Sequence, residues 1–421
     1  MSQTPTGAAH RSLNGTTSRF ASLRPLFSGL LPLFILAHFG HHVAGAMLSP
    51  LMPMIKDDLR LTYTEAGLLT AAFSVTGGLA QLPAGWLADR VGNRLMVLIA
   101  ISGVAAGGVL VGLSHSYLGM LVFLVLTALL AGGYHPASAS AISSFVPPER
   151  RGRAMGLHLI GGTGSMLLVP LIAAPIAVAW SWHTPYIVLT IPVIALGFVL
   201  YFLLGRQAKI AAAHPAPTAA NMAGPAKINW RVLAPFLALS VGTTMVTQSV
   251  AGYYSMYAVD HLGIAKGTAA VLMSITPAVG FVAAPFTGGL ADRFGSVTML
   301  TIASLLAAPM VFSLNLVSNL GGLAAVLALG GLVNMLCAPA AEAFLLTNVP
   351  ERRRATVMGF YFFAGSGLAG LLTLAVGRVI DQPGLGFAYA FGAAAILQVA
   401  IAIVCAVVLR RAVVKGRRQA A

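Results

Sequence analysis

Six ionisable side chains stand inside long apolar runs of this 421-residue chain: His38, His41, His42, His135, His158 and Glu342. A charge held at mid-span in hydrocarbon costs on the order of 2.5–3.5 kcal/mol, so such groups usually face a wet cavity and work there. Imidazole changes charge near neutral pH, which makes proton exchange the first chemistry on offer and hydrogen bonding to a solute the second. His38 and His42, at i and i+4, share one helix face, while His41 is turned about 100° from His42. His41, His42, Glu342 and His158 are the candidates for proton coupling. His38 and His135, with Gln248 and the cluster Tyr253, Tyr254 and Tyr257, are the candidates for substrate contact.

Each candidate also has a plain structural reading. A histidine on a small-residue stripe can hydrogen-bond a neighbouring helix, Glu342 can snorkel to a nearby membrane surface, and the tyrosines can sit in an interfacial belt. His135 lies between Gly132-Gly133 and Pro136, where backbone hydrogen bonding is broken, and this favours a site. Imidazoles at i and i+4 make half of a metal site, with Met47, Met52, Met155 and Met166 near in sequence. No cysteine or carboxylate completes the set in that helix, so no metal ligands are assigned and metal transport ranks below organic substrates. No cofactor is expected: Gly161-Gly162-Thr163-Gly164 resembles part of a phosphate loop, but no Lys-Ser/Thr pair follows, and close helix packing accounts for it. No trio of nucleophile, base and oxyanion stabiliser stands out, so the chain does not read as an enzyme.

The elements that must position these groups are membrane helices. Hydrophobic residues make up 58% of the chain and charged residues 8%, far from the balance of a soluble domain. Apolar stretches of sufficient length lie near 27–55, 64–87, 95–114, 118–146, 153–179, 184–204, 232–258, 267–290, 296–315, 321–348, 355–379 and 385–409. The expectation is an all-α membrane protein of twelve transmembrane helices. Threading these spans with both termini inside leaves only Lys56, Arg60, Lys266 and Arg378, of 25 Lys and Arg, on the outer side. The net charge of +15 is therefore a positive-inside signal rather than a nucleic-acid footprint. Cys337 and Cys405 lie within spans and read as small packing residues.

The chain also contains one half twice, at a constant separation of 203 positions. Leu87-Ala88-Asp89-Arg90 with Gly92 recurs as Leu290-Ala291-Asp292-Arg293 with Gly295. The same offset carries Gly85 to Gly288, Pro136 to Pro339 and Met155-Gly156 to Met358-Gly359. Duplicated halves around a central site are the architecture of secondary transporters. The expected organisation is a cytoplasmic tail over 1–24, a six-helix half over 25–204, an Ala/Pro/Gly-rich cytoplasmic linker over 205–229, a second six-helix half over 230–410 and a basic tail over 411–421.

The loop between spans two and three, Gly85-Trp86-Leu87-Ala88-Asp89-Arg90-Val91-Gly92-Asn93-Arg94, resembles the signature of the major facilitator superfamily, with a degenerate copy from Gly288 to Gly295. Glu149-Arg150-Arg151-Gly152-Arg153 and Glu351-Arg352-Arg353-Arg354 resemble that family's loops between spans four and five and between ten and eleven. The resemblance implies two pseudo-symmetric six-helix halves. It gives Gly85, Asp89, Arg90, Gly92, Arg94, Gly288, Asp292 and Arg293 a role in conformational gating. It also puts spans one, four, seven and ten around the central cavity. Within the superfamily the chain is most similar to fosmidomycin-resistance-type efflux transporters, through His135-Pro136, Gly161-Gly162 with Gly164-Ser165 and Pro170, and Tyr253-Tyr254 with Tyr257. It departs from that group at His41-His42, which stand where the group has an Asn-Asp pair.

The expectation is a multi-pass protein of the bacterial inner membrane, with both termini cytoplasmic, functional as a monomer and working by alternating access. Its partners are a small-molecule substrate, protons and the lipid bilayer. Proton-coupled efflux of a small organic compound is the first reading, and proton symport or facilitated uptake of a metabolite is the second.

Overall fold

Twelve long helical segments form in the computed structural model, which describes residues 29–147, 150–212 and 228–420. They are span 1 (Leu31–Asp58), span 2 (Tyr63–Val91), span 3 (Asn93–Gly112), span 4 (Tyr117–Ala131, resuming as Tyr134–Phe145), span 5 (Arg151–Ala179) and span 6 (His183–Ala212). The second set is span 7 (Trp230–Ala251, continued by Tyr254–Met256 and a π-helical turn, Tyr257–His261), span 8 (Lys266–Leu272 and Ile275–Phe294), span 9 (Ser296–Ser313), span 10 (Leu320–Asn348), span 11 (Glu351–Ile380) and span 12 (Gly386–Ala420). Eleven of these are long and apolar enough to cross a membrane. The twelfth, span 2, is also long enough at 29 residues. No strand forms among the described residues. With an even number of spans, the start of span 1 and the end of span 12 share one side, the terminal face. The opposite side is the far face.

The internal repeat reappears as local chemistry. Ser116 caps span 4 by accepting from the Gly119 N–H, and Asn319, 203 positions on, caps span 10 by accepting from the Gly322 N–H. Gly92 and Gly295 join spans 2–3 and 8–9 with φ of +84° and +80°, a backbone that only glycine adopts without strain. Arg151 and Arg354 each donate to a carbonyl just before their own helix, that of Val146 and that of Val349, both at 3.2 Å. The same sequence signals thus stop and start the chain at matched points in both halves.

Small residues set the helix spacing. Gly161 and Gly162 of span 5 let it press on span 1, where a Cβ at Gly161 would overlap the Ile35 carbonyl and one at Gly162 would meet the His38 ring. Gly161→Ala is therefore expected to destabilise the fold by about 1–3 kcal/mol. Gly164→Ala, whose added carbon meets only Phe39 at 4.0 Å, is expected to be near neutral. Thermal unfolding of both variants in detergent checks the pair.

The helix of span 6 runs to Ala212, into the expected linker, and that of span 12 to Ala420. The tail 1–24, Glu149 and residues 213–227 lie outside the described residues, as do the side-chain placements at Gly85, Asp89, Gly288, Asp292 and Arg352.

Candidate functional site

All five intramembrane histidines converge in the first half. His38, His41 and His42 of span 1 meet His135 at the start of the second segment of span 4 and His158 of span 5. The His38 and His158 rings stack at 4.4 Å, and His135 stands edge-on to His38 at 5.3 Å. His38 Nδ1–H donates to the His158 carbonyl at 2.9 Å, and His158 Nδ1–H donates to the Phe34 carbonyl at 3.1 Å. A carbonyl can only accept, so both rings carry their proton on Nδ1 and keep Nε2 as a lone pair when neutral. His38 Nε2 lies 3.2 Å from His42 Nε2. His41 stacks on Tyr134 at 4.5 Å, and its Nδ1 is buried without a hydrogen-bond partner among the described residues.

Next to this cluster, between the halves, lies a cavity of about 420 Å³. Gly45, Ala46 and Ser49 of span 1 line it, one turn and more beyond His42 toward the far face. Its polar lining includes Thr163, Thr247, Gln248, Tyr254, Thr276 and Asn334, and its thioethers are Met166, Met273, Met310 and Met335. No charged side chain is among the lining residues. Ala338 of span 10 completes the wall, and it is the repeat counterpart of His135 at the offset of 203. Glu342 follows Ala338 by one turn, about 9 Å from the end of span 10. It has no hydrogen bond or ion pair with another described residue.

Toward the far face the halves are sealed to one another. The Asp381 carboxylate, just past span 11, accepts from the Tyr63 N–H at 3.0 Å and the Thr64 N–H at 2.7 Å, capping span 2 from across the interface. Lys56 pairs with Asp260 at 3.4 Å, Lys266 pairs with Asp57, and the Tyr63 hydroxyl donates to Asp260 at 2.7 Å. The Ser255 hydroxyl donates to the Ser49 carbonyl. These contacts between the halves all lie at or toward this face.

Of the expected substrate contacts, Gln248 and Tyr254 line the cavity. The other two tyrosines are engaged elsewhere. Tyr253 is fully buried, its hydroxyl 3.0 Å from the Tyr63 carbonyl and 2.9 Å from that of Thr373, and Tyr257 donates to the Leu314 carbonyl at 2.7 Å. His38 and His135 stand in the histidine cluster with the proton-coupling candidates His41, His42 and His158, while Glu342 stands apart in the other half. Among the positions expected to take part in gating, Arg90 lies over the Trp86 ring at 3.9 Å and Arg94 over Tyr201 at 3.8 Å, donating to the Tyr201 carbonyl at 2.7 Å. These contacts stay within one half. Sequence reasoning missed Asn334, a lone amide inside span 10 that a search for ionisable groups passes over. It also missed Asp381, which reads as a loop acid and has no acidic counterpart in the first half.

Comparison with known proteins bears on this geometry. The sequence model of the family described as Major Facilitator Superfamily matches residues 34–374 and 239–421. The chain is 28% identical over 327 residues to a multidrug resistance protein, MdtG, of Proteus mirabilis, covering 74% of this chain and 80% of the relative. It is 30% identical over 176 residues to a probable sulfoacetate transporter, SauU, of Cupriavidus necator, covering 41% of this chain and 40% of the relative. Among solved structures, a POT family transporter in complex with 5-aminolevulinic acid superposes with a TM-score of 0.77 at 14% identity, covering 91% of this chain and 96% of the other. A bacterial homologue of the human lysosomal transporter Spinster, in an inward-facing and unoccupied conformation, superposes with a TM-score of 0.73 at 17% identity, covering 92% and 97%.

Proposed function

This chain belongs to the Major Facilitator Superfamily, and on that premise we propose that it is a secondary active transporter that exports a small, neutral and amphipathic organic compound in exchange for protons. The observation that carries the reading is the cavity between the halves: polar, thioether-lined and free of charged side chains among its described lining, with Glu342 one turn away. A cavity without a fixed charge does not compensate the desolvation of an ionic solute, so it favours uncharged ones. The thioethers adapt their shape to varied apolar surfaces. Kinship with a multidrug resistance protein supports efflux as the direction.

In this reading the terminal face is cytoplasmic, which the distribution of Lys and Arg supports, and the protein sits in the bacterial inner membrane as a functional monomer. The seal at the far face then belongs to the state that loads from the cytoplasm. Rocking of the halves breaks the contacts of Asp381, Lys56 and Lys266 and exposes the same cavity to the other side. Glu342 is the group that takes up and releases the driving proton.

The test is flux in proteoliposomes under an imposed pH gradient, with a neutral amphipathic amide such as chloramphenicol as one probe and the sulfonate anion sulfoacetate as the other. The expected result is gradient-driven movement of the neutral probe, countered by proton movement. Movement of the anion in its place, or of neither probe, overturns the substrate assignment. Proton and solute moving in the same direction overturn the exchange mechanism.

A further inference from the structure

We propose that His38, His42 and His135 form a binding site for one divalent transition-metal ion of borderline softness, of the zinc, cobalt, nickel or copper type. One ligand nitrogen from each of the three rings lies within 4.8 Å of the other two. His38 and His42 come from successive turns of span 1, and the third imidazole arrives from span 4. The set that span 1 leaves incomplete on its own is thus closed by a second helix.

Three features make this a ligand set rather than a chance cluster. The first is the fixed tautomer of His38. Its Nδ1–H is committed to the His158 carbonyl at 2.9 Å, so Nε2 faces inward as a lone pair, the arrangement by which metal-binding histidines are commonly oriented. The second is spacing. Two nitrogens held about 2.0–2.1 Å from one tetrahedral ion lie about 3.3 Å apart, and His38 Nε2 and His42 Nε2, hydrogen-bonded to each other at 3.2 Å, are close to that spacing, so that an ion would take the place of the proton they share. The third is access. His38 is buried, whereas His42 and His135 keep accessible surface, and His42 lies one turn from the cavity wall at Gly45 and Ala46. Three imidazoles leave a fourth coordination position of a tetrahedral ion for water or another ligand.

The donor chemistry selects the ion. Three neutral nitrogens without carboxylate or thiolate suit zinc, cobalt, nickel and copper and do not suit magnesium or calcium, which require oxygen ligands. Beside the site, the buried and unpartnered Nδ1 of His41 marks a polar group that the protein leaves without compensation. The ion would tie span 1 to span 4 inside a single half. Its binding does not depend on the transport reading, and it is measured without any flux.

The experiment uses the full chain, purified in detergent without a histidine tag. Co²⁺ titration is followed by visible absorption, and Zn²⁺ binding by calorimetry. The expected result is one ion per chain with the intense absorption of a tetrahedral cobalt site. Binding should weaken by at least about tenfold in His42→Gln and in His135→Gln, the loss that even outer-shell changes produce. His183→Gln, at the far face, should bind as the parent does. Because either cluster variant can fail to fold, the parent protein is also loaded with Cu²⁺, and its electron paramagnetic resonance spectrum reports the number of bound imidazole nitrogens. Three nitrogens support the site. Two or fewer, no ion bound, or unchanged affinity in folded His42→Gln and His135→Gln overturn it.

Discussion

Glu342→Gln reduces accumulation driven by a pH gradient to the passive leak while leaving substrate binding largely intact. Glutamine keeps the size and hydrogen-bonding capacity of the side chain and removes only its titration. The carboxylate lies about 9 Å from the end of span 10, where its charged form costs less than the roughly 2.5–3.5 kcal/mol of mid-span, and it makes no hydrogen bond or ion pair with a described residue. In the proposed exchange its proton occupancy follows the side from which water reaches it, as an alternating carrier requires. It stands one turn from the cavity wall at Ala338 rather than in the wall, so a neutral ligand does not need it. Flux under a pH gradient and ligand-induced stabilisation of the purified variant separate the two roles. Gradient-driven flux that survives in Glu342→Gln moves the coupling away from this residue.

Asp381→Ala shifts the conformational balance toward the state open at the far face. Asp381 receives two N–H groups from the first turn of span 2, at 3.0 and 2.7 Å, so it acts across the interface as a helix cap. Hydrogen bonds to a charged group contribute about 1.5–3 kcal/mol when sheltered. Partial exposure of this one reduces the expected effect to about 1–2 kcal/mol, a factor of about 5–30 in population. A cysteine at Ser49, in a background lacking Cys337 and Cys405, should react several-fold faster with an impermeant thiol reagent added from the far side. An unchanged rate removes Asp381 from the seal. The resemblance of the loop between spans 2 and 3 to the family signature implies a latch of opposite sense at Asp89, whose loss is expected to favour the form that the Asp381 contacts hold.

The fold was legible because its signals are local and occur twice. The caps at Ser116 and Asn319, the positive-φ glycines Gly92 and Gly295, and the carbonyl-bound Arg151 and Arg354 all sit at the offset that the sequence displays. The histidine cluster was half legible. Helical spacing puts His38 and His42 on one face, but only the packing of span 5 on span 1 through Gly161 and Gly162, and the break at Gly132-Gly133 in span 4, decides that His158 and His135 reach them. The tyrosines were grouped by adjacency, and the backbone separates them. Span 7 stops at Ala251 and resumes through a short segment and a π-helical turn, so Tyr253, Tyr254 and Tyr257 leave in three directions. Asp381 was invisible because a cap supplied from another helix has no spacing to read.

The seal at the far face consists largely of charges that water reaches. The Lys56 and Asp260 side chains are 18% and 23% exposed, and those of Lys266 and Asp57 are 40% and 49% exposed. Pairs of this kind contribute about 0–1 kcal/mol each, and dissolved ions screen them over a Debye length of about 8–10 Å at physiological concentrations. In the proposed cycle, the balance between the two faces is therefore expected to depend on the salinity of the medium on one side of the membrane. Raising the ionic strength there loosens the closure without any ligand, and lowering it tightens the same contacts.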